Sequence, residues 1–326
     1  MTAGRPVLLL PGQGFQHAGM AVELYWREMH FKAAADEFLE ALGPQGKLLH
    51  DDWLSGVDGA AADRGTSAQP LLFLVGYAIG RTLAARGLRP GALIGHSVGE
   101  LAAATLAGVI DLPAAARVIA ARCAALAHAP AGGMLAVAGA PDRVTACLRG
   151  SPAAGSVVVG AHNAPSQTIL SGPEPDLSRA EELVRAQGLI VRRVRALEPW
   201  HSPAMRPAAR VFAAAVAAEE LRPPVLPIVS TRTGRPVTDE EAVDPAFWAH
   251  QMAAPVLFWP ALETLLDDGA PRLLVDAGPA AALATLARRH PAVGSGASEA
   301  VALLAQPGRD AWSTWQRGLA RLEAAT

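Results

Sequence analysis

The chain has 326 residues, 51% hydrophobic and 18% charged, with a formal net charge of −2. That is ample apolar material for a large core, in one domain with an insertion or in two domains. The charge balance gives no case for nucleic acid or an anionic membrane as partner, and two cysteines, Cys123 and Cys147, both in apolar helical patterns, argue against a disulfide framework or a metal site.

Met1 to Pro6 lacks the layout of a signal peptide, and the apolar run Val7–Leu10 is too short to span a membrane, so a cytoplasmic protein is expected. The initial Met1 and the short tail suggest a free-standing chain. Val7–Leu10 reads as a buried central strand that ends in the loop Pro11-Gly12-Gln13-Gly14. Helical patterns follow from about His30 to Leu42 and from Gln69 to Ala85. Ala92–Gly95 is a second short apolar strand, and helices are expected over Leu101–Val109 and Pro113–His128. Strands alternating with helices predict a parallel α/β sheet.

Between that second strand and its helix stands Gly95-His96-Ser97-Val98-Gly99, a G-x-S-x-G turn. A serine on such an elbow is held on a strained strand-to-helix turn that lifts its hydroxyl above the sheet. Gly95 and Gly99 have no Cβ, which lets the turn close and the helix pack on the strand. The helix start near Val98 offers N–H groups and partial positive charge where an oxyanion would form.

The character changes near Gly132-Gly133. Strands are expected at Met134–Val137, Ser156–Ala161, Gln167–Leu170 and Leu189–Val194, with helices at Pro141–Leu148 and Asp176–Gln187. That βαββαβ order is ferredoxin-like. It divides the chain into residues 133–195 as an inserted subdomain and residues 1–132 with 196–326 as the larger one. Beyond it come His201-Ser202-Pro203, a helix to about Glu220, a strand at Leu226–Ser230 and a helical stretch Phe247–Met252. A helix after Pro260 leads to a last strand, Leu273–Val275, which ends at Asp276-Ala277-Gly278-Pro279; Pro291–Ser298 reads as a surface loop.

A serine nucleophile needs a base, and the base needs an orienting acceptor. Nine histidines are available. His96 adjoins the nucleophile, where elbow side chains diverge, and reads as support beside the substrate. His201 is the leading base candidate, with the other histidines left open.

These landmarks resemble, in order and over nearly the whole chain, the family of malonyl-CoA:acyl carrier protein transacylases and polyketide synthase acyltransferase domains. The matching residues are Pro11–Gly14, Gln69-Pro70, Gly95–Glu100, Arg122, Asn163, Ser171-Gly172, His201–Pro203, Pro255-Val256 and Asp276–Pro279, and the tail Ala311–Leu322 is similar to that of the polyketide synthase domains. The resemblance implies an α/β-hydrolase-like large subdomain and an active site in the cleft between the two subdomains, with Asn163 and Met134 on the smaller side. It implies Ser97 as nucleophile, His201 as base oriented by the backbone carbonyl at Gln251, and the N–H groups of Val98 and Gln13 as oxyanion hole. Arg122, on a helix apolar but for Arg117, would grip the free carboxylate of a malonyl-type substrate with its planar fork. Coenzyme A thioesters and a phosphopantetheinyl acyl carrier protein follow as substrate and partner, with no bound cofactor. Arg143, Arg149, Arg192, Arg193 and Arg195 are candidate contacts for an acidic carrier.

One stretch departs from the family pattern. Glu198-Pro199-Trp200 precedes His201 where Tyr-Ala-Ser or His-Ala-Phe is usual. A bulky Trp200 favours malonyl over methylmalonyl. Glu198 could pair with Arg122, meet the ammonium of an aminoacyl substrate, or face solvent. Malonyl transfer is thus the first reading. A carrier-to-carrier transferase for an unusual acyl or aminoacyl chain and an editing hydrolase are the alternatives. An intact Ser97, His201 and Gln13 argue against a non-catalytic docking module, and the inserted subdomain with Arg122 argues against a generic lipase.

Overall fold

A computed structural model describes residues 5–56 and 65–325. Residues 1–4, where the leader reading begins, lie outside the described residues. Two sheets organise the chain. Strands β1 (Val7–Leu10) and β2 (Ala92–Gly95) are buried at every position. Both sides of the large sheet are covered, which is why these strands read as unbroken apolar runs. β3 (Gly132–Val137), β4 (Val158–Ala164), β5 (Gln167–Pro173) and β6 (Val191–Arg193) form an antiparallel sheet in the order β4-β5-β3-β6. β7 (Ile228–Ser230), β8 (Leu273–Asp276) and β9 (Glu299–Ala302) return to the first sheet, which is parallel and ordered β7-β2-β1-β8-β9.

The small sheet has a core of its own. Leu135, Val137 and Leu170 pack with Leu177 and Val184 of the helix Asp176–Ala186. The alternate residues Met134 and Ile169 join the main core instead. That is the two-faced burial expected of an antiparallel sheet clamped on both sides. Val256 pairs with Ala161 at the edge of β4, so the chain beyond His201 fastens the two sheets together.

The predicted helices and strands are present with shifted ends. Helices run over Met29–Ala41, Gly65–Ala85, Gly99–Leu106 and Leu112–Ala124, the last followed by a 3₁₀ turn at Ala125–His128. The stretch Phe247–Met252 is a short helix, Pro245–Ala249, continued as a 3₁₀ turn. The helix carrying Pro260 starts at Phe258, since proline is tolerated in a first turn whose N–H groups lack helical partners. Pro291–Ser298 is not simply a loop: it holds a one-turn helix, Pro291–Gly294, and leads into β9. β9 is a half-covered edge of Glu-Ala-Val-Ala, a composition with weak strand preference, and neither alternation nor apolar run announces it. Helices Val22–Arg27 and Pro44–Ser55 were also not expected, although the second carries Pro44 at its start and Gly56 in the left-handed conformation after its end.

Among the described residues, no helix is long and apolar enough to cross a membrane, and no group of three or more His, Cys, Asp or Glu could hold a metal ion.

Candidate active site

Ser97 sits at the C-terminal end of β2 with φ of 55°, a conformation L-residues adopt only under strain. The elbow closes because of its glycines. A Cβ on Gly95 would lie 2.3 Å from the Glu100 nitrogen, and one on Gly99 would lie 2.5 Å from the Leu10 carbonyl oxygen. Glu100, buried in the first turn of the helix, accepts hydrogen bonds from the hydroxyls of Ser230 and Thr231 and fastens the elbow to the end of β7.

His201 also has positive φ, 63°, and its Nε2 lies 2.7 Å from Ser97 Oγ. Its Nδ1 lies 3.0 Å from the Gln251 carbonyl oxygen and 2.9 Å from that of Ala254. Carbonyls only accept, so Nδ1 carries the proton and Nε2 presents its lone pair to the serine hydroxyl. Burial, assisted by the charge of Arg122 and by His96, pushes His201 down to about 3. The ring is therefore a neutral base across the ordinary pH range.

Gln251 ties three groups together. Its carbonyl orients His201, its Nε2 donates to the Ser97 carbonyl oxygen at 2.7 Å, and its Oε1 lies 3.4 Å from Arg122 Nη2. Arg122 is 0% exposed. Its Nε donates to Gln69 Oε1 at 2.6 Å, and the Gln69 amide donates to Gln13 Oε1 at 3.0 Å. The guanidinium carbon lies 5.1 Å from the Trp200 ring and 5.6 Å from that of Phe212, within cation–π range. Burial lowers its pKa to about 10, which still leaves it charged at neutral pH. Arg122 Nη1 is buried and has no hydrogen-bond partner among the described residues.

Ser97 and His201 open on a cleft of about 310 Å³. The loop Gln13–Phe15 and Trp200 border it on the large-sheet side, and Met134, Ala136, Ala161 and Ile169 line it from the small sheet. His96 borders it too. Its Nε2 lies 3.0 Å from Asn163 Oδ1, and burial lowers its pKa to about 4. Arg122 is not a cleft-lining residue: it lies behind the lining, stacked beside Trp200.

The family model described as an acyl transferase domain matches residues 7–324. The chain belongs to that family. This acyl transferase domain is 38% identical over 296 residues, 89% of its length, to a phenolphthiocerol/phthiocerol polyketide synthase chain of Mycobacterium tuberculosis, of which it spans only 19%. The acyl transferase domain of SpnD, solved in complex with 2-(pent-4-yn-1-yl)malonyl, is 29% identical with a TM-score of 0.89, over 99% of this chain and 77% of that one. The malonyl-CoA:acyl carrier protein transacylase of Xanthomonas oryzae pv. oryzae is 29% identical with a TM-score of 0.83, over 99% of each chain. The chain is thus homologous to polyketide synthase acyltransferases and to malonyl-CoA:acyl carrier protein transacylases alike.

The acyl transferase domain brings most of its sequence-predicted residues together. Ser97, His201, Gln13, His96, Trp200, Asn163 and Met134 meet at the cleft, Val98 caps the elbow helix, and Gln251 and Arg122 lie just behind. Glu198 does not meet Arg122. It is half-buried away from the lining and accepts a hydrogen bond from Trp200 Nε1 at 3.1 Å, and burial pushes its pKa up. Two contributors were not anticipated as site residues. Ala254 acts only through its carbonyl, which no side chain could signal. Gln69 was legible in principle, as an amide inside an apolar helix with nothing polar to explain it.

Proposed function

We propose that this acyl transferase domain moves a malonyl unit from coenzyme A to the phosphopantetheine thiol of an acyl carrier protein by way of a Ser97 ester. Ser97 Oγ attacks the thioester carbonyl while His201 Nε2 takes its proton. The N–H groups of Val98 and Gln13 stabilise the oxyanion; one such donor is typically worth about 2.7–4 kcal/mol of barrier. As the C–S bond breaks, the imidazolium returns the proton to the departing coenzyme A sulfur. The carrier thiol then gives its proton to the same nitrogen, attacks the ester and restores the serine. The carbonyls of Gln251 and Ala254 hold Nδ1–H throughout, in the role a carboxylate takes in many serine hydrolases.

The observation that carries the malonyl reading is the orphaned guanidinium edge of Arg122. A buried charge with an unused donor is costly unless a partner arrives, and a carboxylate is the partner its fork fits. Trp200 beside it leaves little room for an α-branch. Glu198 is held by the indole N–H of Trp200, which weakens the aminoacyl reading. We take residues 133–195 as the inserted subdomain, with 1–132 and 196–326 as the other, and the reaction as cytoplasmic because its thioester substrates are found there.

Intact-mass measurement after incubation with malonyl-, methylmalonyl- and acetyl-CoA tests this. A malonyl adduct absent from Ser97→Ala is expected. No adduct from any of the three, with the fold intact, would remove coenzyme A as the donor.

A further inference from the structure

Apolar side chains from both sides line the cleft leading away from Ser97, and its charged lining is Arg192, Arg193 and Arg195, on β6 and its exit. Ile169, Ala136 and Arg192 face one another across β5, β3 and β6. Ile169 and Ala136 line the cleft, and so does Arg192. The preceding row contains Met134, whose tip comes close to the Trp200 backbone beside Gly160. Arg192 thus stands two residues along the sheet from the Trp200 end, about 7 Å at the spacing of strands. It is exposed and makes no side-chain hydrogen bond or ion pair with any described residue.

Its neighbours differ. Arg193 points to the opposite face of β6, where Glu174 and Glu181 hold it. Arg195 has a partner as well. Of the arginines on this strand and its exit, Arg192 alone is left without one among the described residues, and it stands on the nucleophile's side of the sheet.

We propose that Arg192 contacts the phosphate that adjoins the pantetheine arm of an incoming thioester, the group that coenzyme A and a loaded carrier protein share. This rests on the acyl-transfer reading above. An uncharged pantetheine arm suits the apolar lining, and its phosphate, the first charge beyond it, needs a cation near the mouth.

The test compares acylation of Ser97 by malonyl-CoA, malonyl-phosphopantetheine and malonyl-N-acetylcysteamine, which has no phosphate. Arg192→Ala is expected to lower kcat/KM for the first two about tenfold, with most of the loss recovered in Arg192→Lys, and to leave the third unchanged. Unchanged turnover of the short thioester also shows that the variant is folded. Equal loss on all three substrates, or loss on none, overturns the proposal. Loss on malonyl-CoA alone places the contact on the nucleotide, and loss confined to transfer onto the free phosphopantetheine thiol of a carrier protein places it on the carrier surface; either overturns it too. Should the wild-type protein accept no malonyl thioester, the malonyl reading fails separately. Calorimetric affinity for phosphopantetheine against pantetheine then decides: a preference of about tenfold that Arg192→Ala abolishes supports the contact, and equal wild-type affinities refute it.

Discussion

The two walls of the cleft are built on different principles. On the large-sheet side, Gln13, Gln69, Arg122, Gln251, His201 and Ser97 are linked by successive hydrogen bonds. On the other side, Met134, Ala136, Ala161 and Ile169 hold position by packing, with Asn163, Gln167 and Arg192 the polar members near them. A polar network fixes direction and distance; an apolar surface fixes only volume. Bond-making belongs to the first wall, and tolerance of what arrives belongs to the second.

That contrast is breakable. Ser97→Ala should lower acyl transfer by about 10⁴-fold or more, read as turnover and as loss of the covalent adduct, because nothing else in the cleft replaces the hydroxyl. Arg122→Ala should cost malonyl transfer on the order of 10²- to 10³-fold while sparing acetyl-CoA, which has no carboxylate to hold. Equal losses on both substrates would mean that Arg122 only supports the wall. The base gives a pH signature. Since burial holds His201 at about 3, its active neutral form is the one present above that value, and acidification removes it only near that value. The kcat/KM of acylation should therefore stay level between pH 8 and pH 5, where a histidine near 6.5 would cost about tenfold or more. On the permissive wall, Met134→Ala should change malonyl transfer by only about threefold or less and widen acceptance of branched units, measured by substrate competition.

How much of this was legible follows the same division. The elbow announces itself through its glycine spacing, whereas His201 was one candidate among nine histidines, and its role and that of Arg122, which shares its helix with Arg117, came from the family resemblance. The small sheet was legible from the order of its strands and helices, with ends misplaced by a few residues. Contacts made by the backbone were not: the Ala254 carbonyl on His201 depends on where a 3₁₀ turn ends. Glu198 was left with three alternatives because sequence separation says nothing about which way a half-buried side chain turns once Trp200 offers it an indole N–H. β9 escaped for want of a pattern.

The proposed nucleophile and base share one more property: both Ser97 and His201 hold left-handed backbone angles that suit glycine. Such angles cost about 1–3 kcal/mol each for residues with a Cβ. Ser97→Gly should then melt at a higher temperature than Ser97→Ala, by an amount corresponding to about 1 kcal/mol, with both variants inactive. Heat tolerance and turnover therefore pull against each other at these two positions. Repeated selection of this chain for survival on heating, without a demand for activity, would favour losing the dyad and keeping an intact, silent fold.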